Sequence, residues 1–385
     1  MNRRRLLTAG VACGLCVLTR RSWAQELSYT APQRLTRPDL ATDEGGLWAL
    51  MDREEKNLRR SPFLVRDAKL KAYVQDLACR LGGDHCPDMR VHLVRTPLFN
   101  ANMAPNGMMQ VWTGLLLRAE NEAQLAAVLG HEIGHYLQRH SVERLRDIKA
   151  KSAFGQFLGL FGLVGAVGQL AVLASAFAYG RDHERDADRI GAILMHQAGY
   201  DVAEAARVWG NLLDELKARE GKDPEQISPL FATHPPPPER RETLGQYASA
   251  MPGGSKNEEG YAEQTQRFLD DWLQDEVKRG QYAESLVLLS RLLSRKSSEG
   301  LVRFHRGEVY RLRGESGDPD LALADYRAAV QSDHAPAPAY RGIGLIARQR
   351  GHNAEAIEAF ARYLELAPQA PDAVLIRDYL SELRA

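Results

Sequence analysis

The sequence has no excess of charge of either sign. Lysine plus arginine and aspartate plus glutamate each number 50, which gives a formal net charge of zero. Proteins that bind nucleic acid usually present a basic field that steers the polyanion toward them. The charge balance therefore argues against a polynucleotide partner.

The composition also lacks the polar bias of a disordered chain. Apolar residues make up 44% of the 385 residues, which is enough to build real hydrophobic cores. A chain of this length exceeds one ordinary domain. We therefore expect a globular protein of two or three domains.

Cysteine is scarce, with four residues in the whole chain. Cys13 and Cys16 lie near the N-terminus, and neither follows a convincing lipobox. Cys79 and Cys86 flank a Gly-Gly pair in "CRLGGDHC", a spacing that lets a helix end turn back on itself. Cys13 and Cys16 lie in the segment that we interpret below as a signal peptide, so no second pair remains to complete a cysteine metal site. We therefore predict that Cys79 and Cys86 form a disulfide in an oxidising compartment.

The N-terminus is typical of an export signal. Three arginines at residues 3–5 precede an uncharged stretch from Leu6 to Thr19, and the small residues Ser22 and Ala24 offer a cleavage site. We interpret residues 1–24 as a signal peptide that directs the protein to the periplasm. The first residues also fit a loose twin-arginine pattern, so both export routes are compatible with the sequence. The alternative is an uncleaved N-terminal anchor.

A second uncharged stretch, from Ala153 to Gly180, is 28 residues long. This length would suffice to span a bilayer. A single crossing would separate the motifs on either side of it, and two crossings need about 40 apolar residues. We therefore predict helices that pack over a neighbouring helix. The alternative is peripheral membrane contact, or contact with apolar clients, through 153–180.

Periodicity and breakers give a coarse order of elements ahead of residue 130. Glu54 to Leu81 is predicted to be mostly helical, Met89 to Arg95 a strand, and Met108 to Trp112 another strand. Asn121 with Gln124 resembles a capping box that opens the next helix. The strands therefore come first, and a histidine-containing helix follows.

The segment "GHEIGHYLQRH", residues 130–140, places histidines on that helix. His131 and His135 are four residues apart, so they share one helix face and can hold one zinc ion. Zinc in a hydrolase takes three protein ligands and a water, and Glu132 is placed to act on that water as general base. The pattern predicts one zinc ion per chain. The alternative is a helix whose core histidines are only hydrogen-bonded.

The third ligand does not follow directly downstream. A His-x-x-Gly-x-x-His pattern would need glycine and histidine where this chain has Gln138 and Ser141. His140 is one residue out of register. We therefore interpret His140 as a structural residue.

A better third ligand lies in "GRDHERDADRIGAILMHQAGYD", residues 180–201. Glu184 and Asp188 fall on the same helical stripe as the apolar residues of this segment. Burying a carboxylate costs several kcal/mol unless it is paired or bound to metal, which favours Glu184 as the third ligand. Asp188 would then orient a ligating histidine through its other ring nitrogen. The alternative is a buried salt bridge from Glu184 to Arg181 or Arg185.

Together, HEIGH and the downstream Glu184-x-x-Ala-Asp188 resemble the zinc peptidases of the HtpX and CAAX-prenyl-endopeptidase family. The run "FNANMAPNGMMQVWTGLLLRAENEAQLAAVLGHEIGH" and the segment "ATHPPPPERR" resemble the same family. The resemblance covers roughly Glu44 to Leu244. The export signal and the helical repeats described below favour its periplasmic BepA-like branch over the membrane-embedded prenyl-protease branch.

This resemblance implies a fold and a ligand set. The fold would be α+β and mostly helical, with a gluzincin-type metallopeptidase domain and a small sheet at 25–255. Zinc would be bound by His131, His135 and Glu184, with Glu132 as general base.

Residues outside the ligand set are candidates for handling substrate. The region from Asn100 to Trp112 is predicted to offer a strand edge to which an unfolded polypeptide adds, with Asn100, Ala101 and Asn102 as binding residues. His234 either stabilises the oxyanion or binds zinc in the position of the water and keeps the enzyme latent. Arg240 is a candidate partner for substrate or for that loop. The alternative is a proline-rich surface turn without function.

The C-terminal part contains a repeat. "LALADYRAAVQSD" from Leu321 aligns with "EAIEAFARYLELAP" when Ala356 is placed on Ala322, a period of 34 residues. This is the tetratricopeptide period, and "AESLVLLSRLLSRK" aligns upstream with a three-residue insertion. We predict an α-solenoid of tetratricopeptide repeats at 262–385, with residues 371–385 as a capping helix. Its concave surface would bind clients or outer-membrane assembly machinery. The alternative is a helical lid that only stabilises the preceding domain.

Two functions of different class fit the sequence. The first is a periplasmic zinc endopeptidase that recruits clients through its repeats and cleaves misfolded or misassembled proteins, in particular those of the outer membrane. The second is a chaperone or adaptor for envelope assembly, with a structural or latent zinc site. We favour the first because every catalytic group that it needs is present.

Overall fold

The computed structural model describes residues 27–150, 180–219, 234, 239–293, 298–332 and 335–385. The predicted signal peptide and residues 153–179 of the uncharged stretch lie outside these ranges. Among the described residues, no helix combines the length and the apolar character needed to cross a membrane.

The described part of the chain is mostly helical, with one small sheet. The strands are β1 (Arg90–Val94), β2 (Ala101–Met103) and β3 (Met108–Trp112). The helices ahead of residue 251 are α1 (Asp43–Arg60), α2 (Ala68–Gly82), α3 (Thr113–Arg118), α4 (Glu122–Leu137), α5 (His140–Ala150), α6 (Arg181–Gln197), α7 (Ala203–Lys217) and α8 (Arg240–Ala250). Those after it are α9 (Glu258–Thr265), α10 (Leu269–Lys278), α11 (Tyr282–Leu292), α12 (Glu299–Arg313), α13 (Asp318–Ala329), α14 (Ala337–Gln349), α15 (Asn353–Leu366) and α16 (Ala373–Arg384).

Most early elements agree with the sequence prediction, with one correction. Both predicted strands are confirmed to within one residue, whereas the helix predicted from Glu54 to Leu81 is two helices. Ser61 leaves the helical conformation after α1, and the Asp67 side chain accepts a hydrogen bond from Leu70 N–H to begin α2. The boundary between the two helices is set by polar residues, Ser61 and Asp67. A prediction from apolar periodicity alone does not see such residues and therefore gave one continuous helix.

Cys79 and Cys86 are joined by a disulfide. The bond connects the last turn of α2 to a short 3-10 helix, Gly83–Asp88. Gly83 has a φ of 52°, in the left-handed region that glycine adopts without steric cost, so the chain reverses here. The reversal leads directly into β1.

The sheet has the strand order β1-β3-β2. β1 runs parallel to β3, and β2 runs antiparallel to it. All five residues of the central strand β3 are buried. β2 is therefore the edge strand on the side away from β1.

Helix α4 begins with the predicted cap. Asn121 accepts a hydrogen bond from the backbone N–H of Gln124 at 2.9 Å. The Gln124 side chain in turn accepts from the backbone N–H of Glu120, at 2.9 Å, rather than from Asn121. The helix that carries the histidines therefore has a fixed start.

Helices α4 and α6 cross at a distance that only small residues allow. A Cβ on Gly191 would lie 2.8 Å from the backbone nitrogen of His131, and a Cβ on Gly134 would lie 3.1 Å from Cα of Ala187. Real Cβ atoms essentially never lie 2.8 Å from a backbone atom, and 3.1 Å is tighter than most Cβ contacts. The glycines thus bring α6 against the histidine-bearing helix.

A buried ionic network joins the sheet-containing part of the chain to the later helices. Arg118 at the end of α3 is 2.7 Å from Glu215 of α7 and 3.0 Å from Glu276 of α10. All three side chains are buried. Tyr261 of α9 also donates a hydrogen bond to the carbonyl of Leu116 at 2.6 Å. A charge left without its partner here would be costly, so these contacts hold the two parts together.

From α12 onward, each helix packs against the next in sequence. The fully buried ring of Tyr326 on α13 fills the space above Gly307 of α12 and Gly342 of α14. Gly344 of α14 lies in the same way against Phe360 of α15. Tyr326 and Phe360 are 34 residues apart, in agreement with the sequence period. The assignment of these helices to tetratricopeptide repeats stays a prediction.

Candidate metal centre

Four buried side chains converge on one point. His131 and His135 come from the C-terminal half of α4, Glu184 from the first turn of α6, and His234 from the segment before α8. Their relative exposures are between 0% and 3%. Each offers one ligand atom, and these atoms lie within 4.8 Å of one another.

The distances between these atoms fit a tetrahedral metal site. His131 Nε2 lies 3.1 Å from His135 Nε2, and the two nitrogens lie 3.4 and 3.3 Å from oxygens of Glu184. His234 Nδ1 is 3.4 Å from His131 Nε2 and 3.1 Å from Glu184 Oε1. Nitrogen and oxygen ligands at the usual zinc distances of about 2.0 to 2.2 Å are about 3.3 to 3.5 Å apart in a tetrahedron. The donor set therefore matches a small divalent cation.

Hydrogen bonds alone cannot satisfy this group. His131 Nε2 faces three polar atoms, on His135, Glu184 and His234, but one ring nitrogen carries at most one proton. Glu184 Oε2 is buried without a hydrogen-bond partner. The Arg240 guanidinium is 3.7 Å from this oxygen, beyond hydrogen-bond distance, so the oxygen still lacks a donor, which is costly for a buried carboxylate. The residues thus fit a bound metal ion better than a polar cluster alone.

Asp188 and Arg240 lie behind the ligands. Asp188 Oδ1 is 2.9 Å from Nδ1 of His131, the ring nitrogen opposite the ligand atom. Arg240 is buried, contacts the same oxygen at 2.6 Å, and lies with its guanidinium 3.8 Å from the ring centre of Trp209. This arrangement orients the His131 ring. The predicted contact of Arg240 with substrate stays a prediction.

Among the described residues, Glu184 forms no salt bridge with Arg181 or Arg185; the guanidinium beside it is that of Arg240, 3.7 Å from its Oε2. Arg185 pairs with Asp182 and Glu239 instead, at 2.6 and 2.7 Å. Glu184 faces the histidines, and these contacts outweigh the effect of its burial and hold its pKa well below the usual range. The carboxylate is therefore ionised, as a metal ligand must be.

Glu132 lies next to the ligands without being one of them. Its Oε1 is buried, has no hydrogen-bond partner and is 3.6 Å from Nε2 of His234. Burial raises the pKa of this carboxyl, while His234, His131 and the backbone N–H of Met103 counteract the rise. The side chain is thus positioned to exchange protons at the cluster.

The contact with Met103 shows which edge of β2 faces the site. Asn100 and Ala104 pair with β3 through Trp112 N–H and Met108 C=O. In an antiparallel strand, alternate residues bond to the same neighbour, so the backbone groups of Ala101 and Met103 point the other way. The free edge of β2 therefore faces Glu132.

The predicted binding residues lie on and beside this edge. Asn100 is buried with its Oδ1 unpartnered, Ala101 is fully buried, and Asn102 is partly exposed. They lie on or next to the strand whose edge faces Glu132, which is the position that a substrate-binding role requires. Their contact with substrate stays a prediction.

The sequence interpreted His140 as a structural residue but did not indicate which residue it contacts. The structure places its Nδ1 2.8 Å from Nδ1 of His135, with both rings buried. The spacing of five residues, across a helix end, belongs to no ligand pattern, which is why the motif excluded it. Trp209, which supports Arg240, was missed because it lies on α7 without any motif around it.

Comparison with known proteins agrees with this geometry. Residues 65–248 match peptidase family M48. The putative beta-barrel assembly-enhancing protease of Vibrio cholerae is 27% identical over 235 residues, which cover 54% of this chain and 48% of that protein. The beta-barrel assembly-enhancing protease of Escherichia coli is 27% identical over 228 residues, covering 53% and 45%.

A mitochondrial protein is also similar. The mitochondrial metalloendopeptidase OMA1 of Schizosaccharomyces pombe is 34% identical over 149 residues, covering 38% of this chain and 42% of that protein. The chain thus spans about half the length of the curated relatives it matches. All four candidate ligands fall inside the matched region. Residues 65–248, slightly less than half of the chain, thus resemble a peptidase domain of family M48.

Proposed function

We propose that this protein is a zinc-dependent endopeptidase. His131, His135 and Glu184 would hold the metal ion, with Glu132 as general base. The observation that carries the proposal is the tetrahedral spacing of buried ligand atoms directly beside an unpartnered carboxylate oxygen. Similarity to proteins named metalloendopeptidases supports the same reaction class.

Each residue has a defined task in this proposal. Bound zinc supplies a Lewis acid for the peptide carbonyl and lowers the pKa of water. Glu132 takes a proton from the attacking water and delivers it to the leaving amine. Asp188, held by Arg240, keeps the His131 ring in one orientation. The low exposure of the whole group excludes bulk water.

Substrate would bind as an extended chain along the free edge of β2. Backbone groups of Ala101 point toward the site, away from β3. An added strand would place a peptide bond beside Glu132. This mode favours unfolded polypeptides over folded proteins.

His234 would keep the site latent. Its Nδ1 lies among the ligand atoms, and its Nε2 lies near Glu132. An imidazole in this position takes the coordination place that a water needs. Access for substrate then requires His234 to move away. The oxyanion role considered from the sequence needs the same movement before it can operate.

The natural clients would be misassembled outer-membrane proteins. We infer this from two relatives whose names describe proteases that enhance beta-barrel assembly. The disulfide between Cys79 and Cys86 is compatible with the oxidising periplasm. The helices from 262 onward would act as tetratricopeptide repeats that recruit clients or assembly machinery.

One observation favours a second function, that of an adaptor with a latent metal site. His234 fills the coordination place needed for catalysis, so the closed arrangement would bind zinc without cleaving. In that case the helices after α8 would carry the activity through binding alone.

The decisive experiment compares the wild type with Glu132→Gln. Zinc content is measured by inductively coupled plasma mass spectrometry. Cleavage is measured with casein and with an unfolded outer-membrane protein as substrates. We expect one zinc per chain in both proteins and cleavage only by the wild type, abolished by a chelator and restored by zinc. A wild type that holds zinc and cleaves neither substrate, even after His234→Ala, supports the adaptor.

A further inference from the structure

His140 lies against a metal-ligand histidine although it is not a ligand itself. It is the first residue of α5, and its Nδ1 is 2.8 Å from Nδ1 of His135. The chain reaches this position through a tight turn: α4 ends at Leu137, and Arg139 has a left-handed φ of 57°. The turn directs His140 back onto the helix that precedes it.

This contact determines where the ring protons are. A hydrogen bond between two imidazole nitrogens needs one N–H and one lone pair. The other nitrogen of His135, Nε2, lies within the ligand group, 3.1 Å from His131 Nε2 and 3.3 Å from Glu184 Oε1. When Nε2 binds a metal through its lone pair, the proton of the neutral ring is on Nδ1. His135 must then donate, and His140 must accept.

We propose that His140 is a positioning residue for the metal ligand His135. Its unprotonated Nδ1 accepts the hydrogen bond from His135 Nδ1–H and holds that ring in the tautomer and orientation that metal binding requires. The proposal rests on the zinc site proposed above. Asp188 serves His131 in the same way at 2.9 Å, so each helix histidine has its own acceptor.

The hydrogen bond from His135 to His140 also disfavours a second metal ion next to the first. His140, Glu143 and His183 form another group whose ligand atoms lie close together. A metal ion on Nδ1 of His140 would use the lone pair that accepts from His135. A metal ion on Nε2 would shift the ring proton to Nδ1, opposite another N–H. The hydrogen bond between His135 and His140 therefore supports one metal ion per chain.

The test uses substitutions that separate the acceptor from the volume of the ring. Asparagine carries its amide oxygen about where histidine carries Nδ1, so His140→Asn retains an acceptor. Leucine fills similar space without one, and glutamine reaches the position of Nε2 instead. Zinc affinity is measured by competition with a chromophoric chelator on the full chain, and folding is checked by circular dichroism.

We expect His140→Leu and His140→Gln to weaken zinc affinity by about 10- to 100-fold. His140→Asn should recover most of that loss, which general damage to packing would not predict. If His140→Leu does not fold, the difference in zinc affinity between His140→Asn and His140→Gln still tests the proposal. His183→Phe, which preserves the ring stacked on His140, should leave both affinity and stoichiometry unchanged.

Three outcomes would overturn the proposal, and they can be told apart. A wild type that binds no zinc removes the zinc site and this role with it. A wild type with one tightly held zinc and an unchanged affinity in His140→Leu overturns the role of His140 alone. Two zinc ions per chain, one of them lost in His183→Phe, would show that the second group is a metal site.

Discussion

The Nδ1 atom of His234 lies 3.1 Å from Oε1 of Glu184, inside the group of candidate metal ligands. The opposite nitrogen of the same ring is 3.6 Å from Oε1 of Glu132. One imidazole therefore contacts both a candidate ligand and the candidate general base. In the zinc endopeptidase proposed above, a water and a substrate carbonyl would need this space.

Removal of the His234 ring should open the site. We expect His234→Ala to cleave an unfolded substrate about tenfold faster than the wild type, because the competent form no longer has to displace a ligand. Initial rates of casein cleavage at equal zinc content provide the measurement. The double variant with Glu132→Gln serves as the control and should remain inactive. A slower His234→Ala protein would instead support a role in stabilising the oxyanion.

The close crossing of α4 and α6 should be intolerant of a single methyl group. In Gly191→Ala the new Cβ would meet the His131 backbone at 2.8 Å, so the helices must separate. We expect the free energy of unfolding to fall by about 1 to 3 kcal/mol and zinc affinity to weaken, since Glu184 moves with α6. Urea unfolding and chelator competition measure the two effects.

A matched control is available on α8. Gly245 is also helical but has no atom within 4 Å of a built Cβ. Gly245→Ala should raise the free energy of unfolding by up to about 1 kcal/mol, because alanine is the better helix former. If Gly191→Ala were as stable as the wild type, the close approach would not be what positions Glu184.

Local pattern was sufficient to find three of the four side chains that converge at the candidate site. His131 and His135 follow from helical spacing, and Glu184 follows from the cost of a carboxylate on an apolar stripe. The strand at Met108–Trp112 and the cap at Asn121 follow from equally local signals. In each case the physical cause acts within a few residues of the chain.

The rest depends on contacts that spacing does not encode. His140 was set aside because a motif counts ligands and not the groups that orient them. Its position depends on the left-handed backbone conformation of Arg139, and an arginine does not predict that conformation. Arg240 was predicted to contact substrate or the loop that carries His234, which stays a prediction; its stacking on Trp209 and pairing with Asp188 arise only in the folded chain.

The contact of Glu55 on α1 with Arg90 and His92 on β1 should make the free energy of unfolding depend on pH. Burial acts to raise the pKa of Glu55, but hydrogen bonds from His92 and Arg90 prevail and lower it to about 2. The unfolded chain then binds more protons, so this contribution is complete above the ordinary glutamate pKa. It is lost as the pH falls from about 4.5 toward 2.

Thermal unfolding of Glu55→Gln tests this sign. The melting temperature should lie below that of the wild type at pH 7, and the difference should shrink as the pH falls to about 3. Glu259→Gln, at an exposed site on α9, should match the wild type throughout. A constant difference at all pH values would show that Glu55 contributes by packing rather than by charge.

The free edge of β2 should be required for substrate binding through its backbone. The N–H of Ala101 points away from β3, toward the site, and Ala101 is the first residue of the strand, where proline is tolerated. Ala101→Pro removes that donor and leaves the ladder to β3 in place.

If an unfolded polypeptide adds here as a strand, we expect KM for that substrate to rise about tenfold with little change in kcat. This is the effect of losing one hydrogen bond that is equally strong in the ground state and the transition state. Ala101→Val adds the same number of side-chain carbons but retains the N–H, so it should behave like the wild type. Equal losses in the two variants would mean that bulk at this buried position, and not the missing donor, limits the reaction.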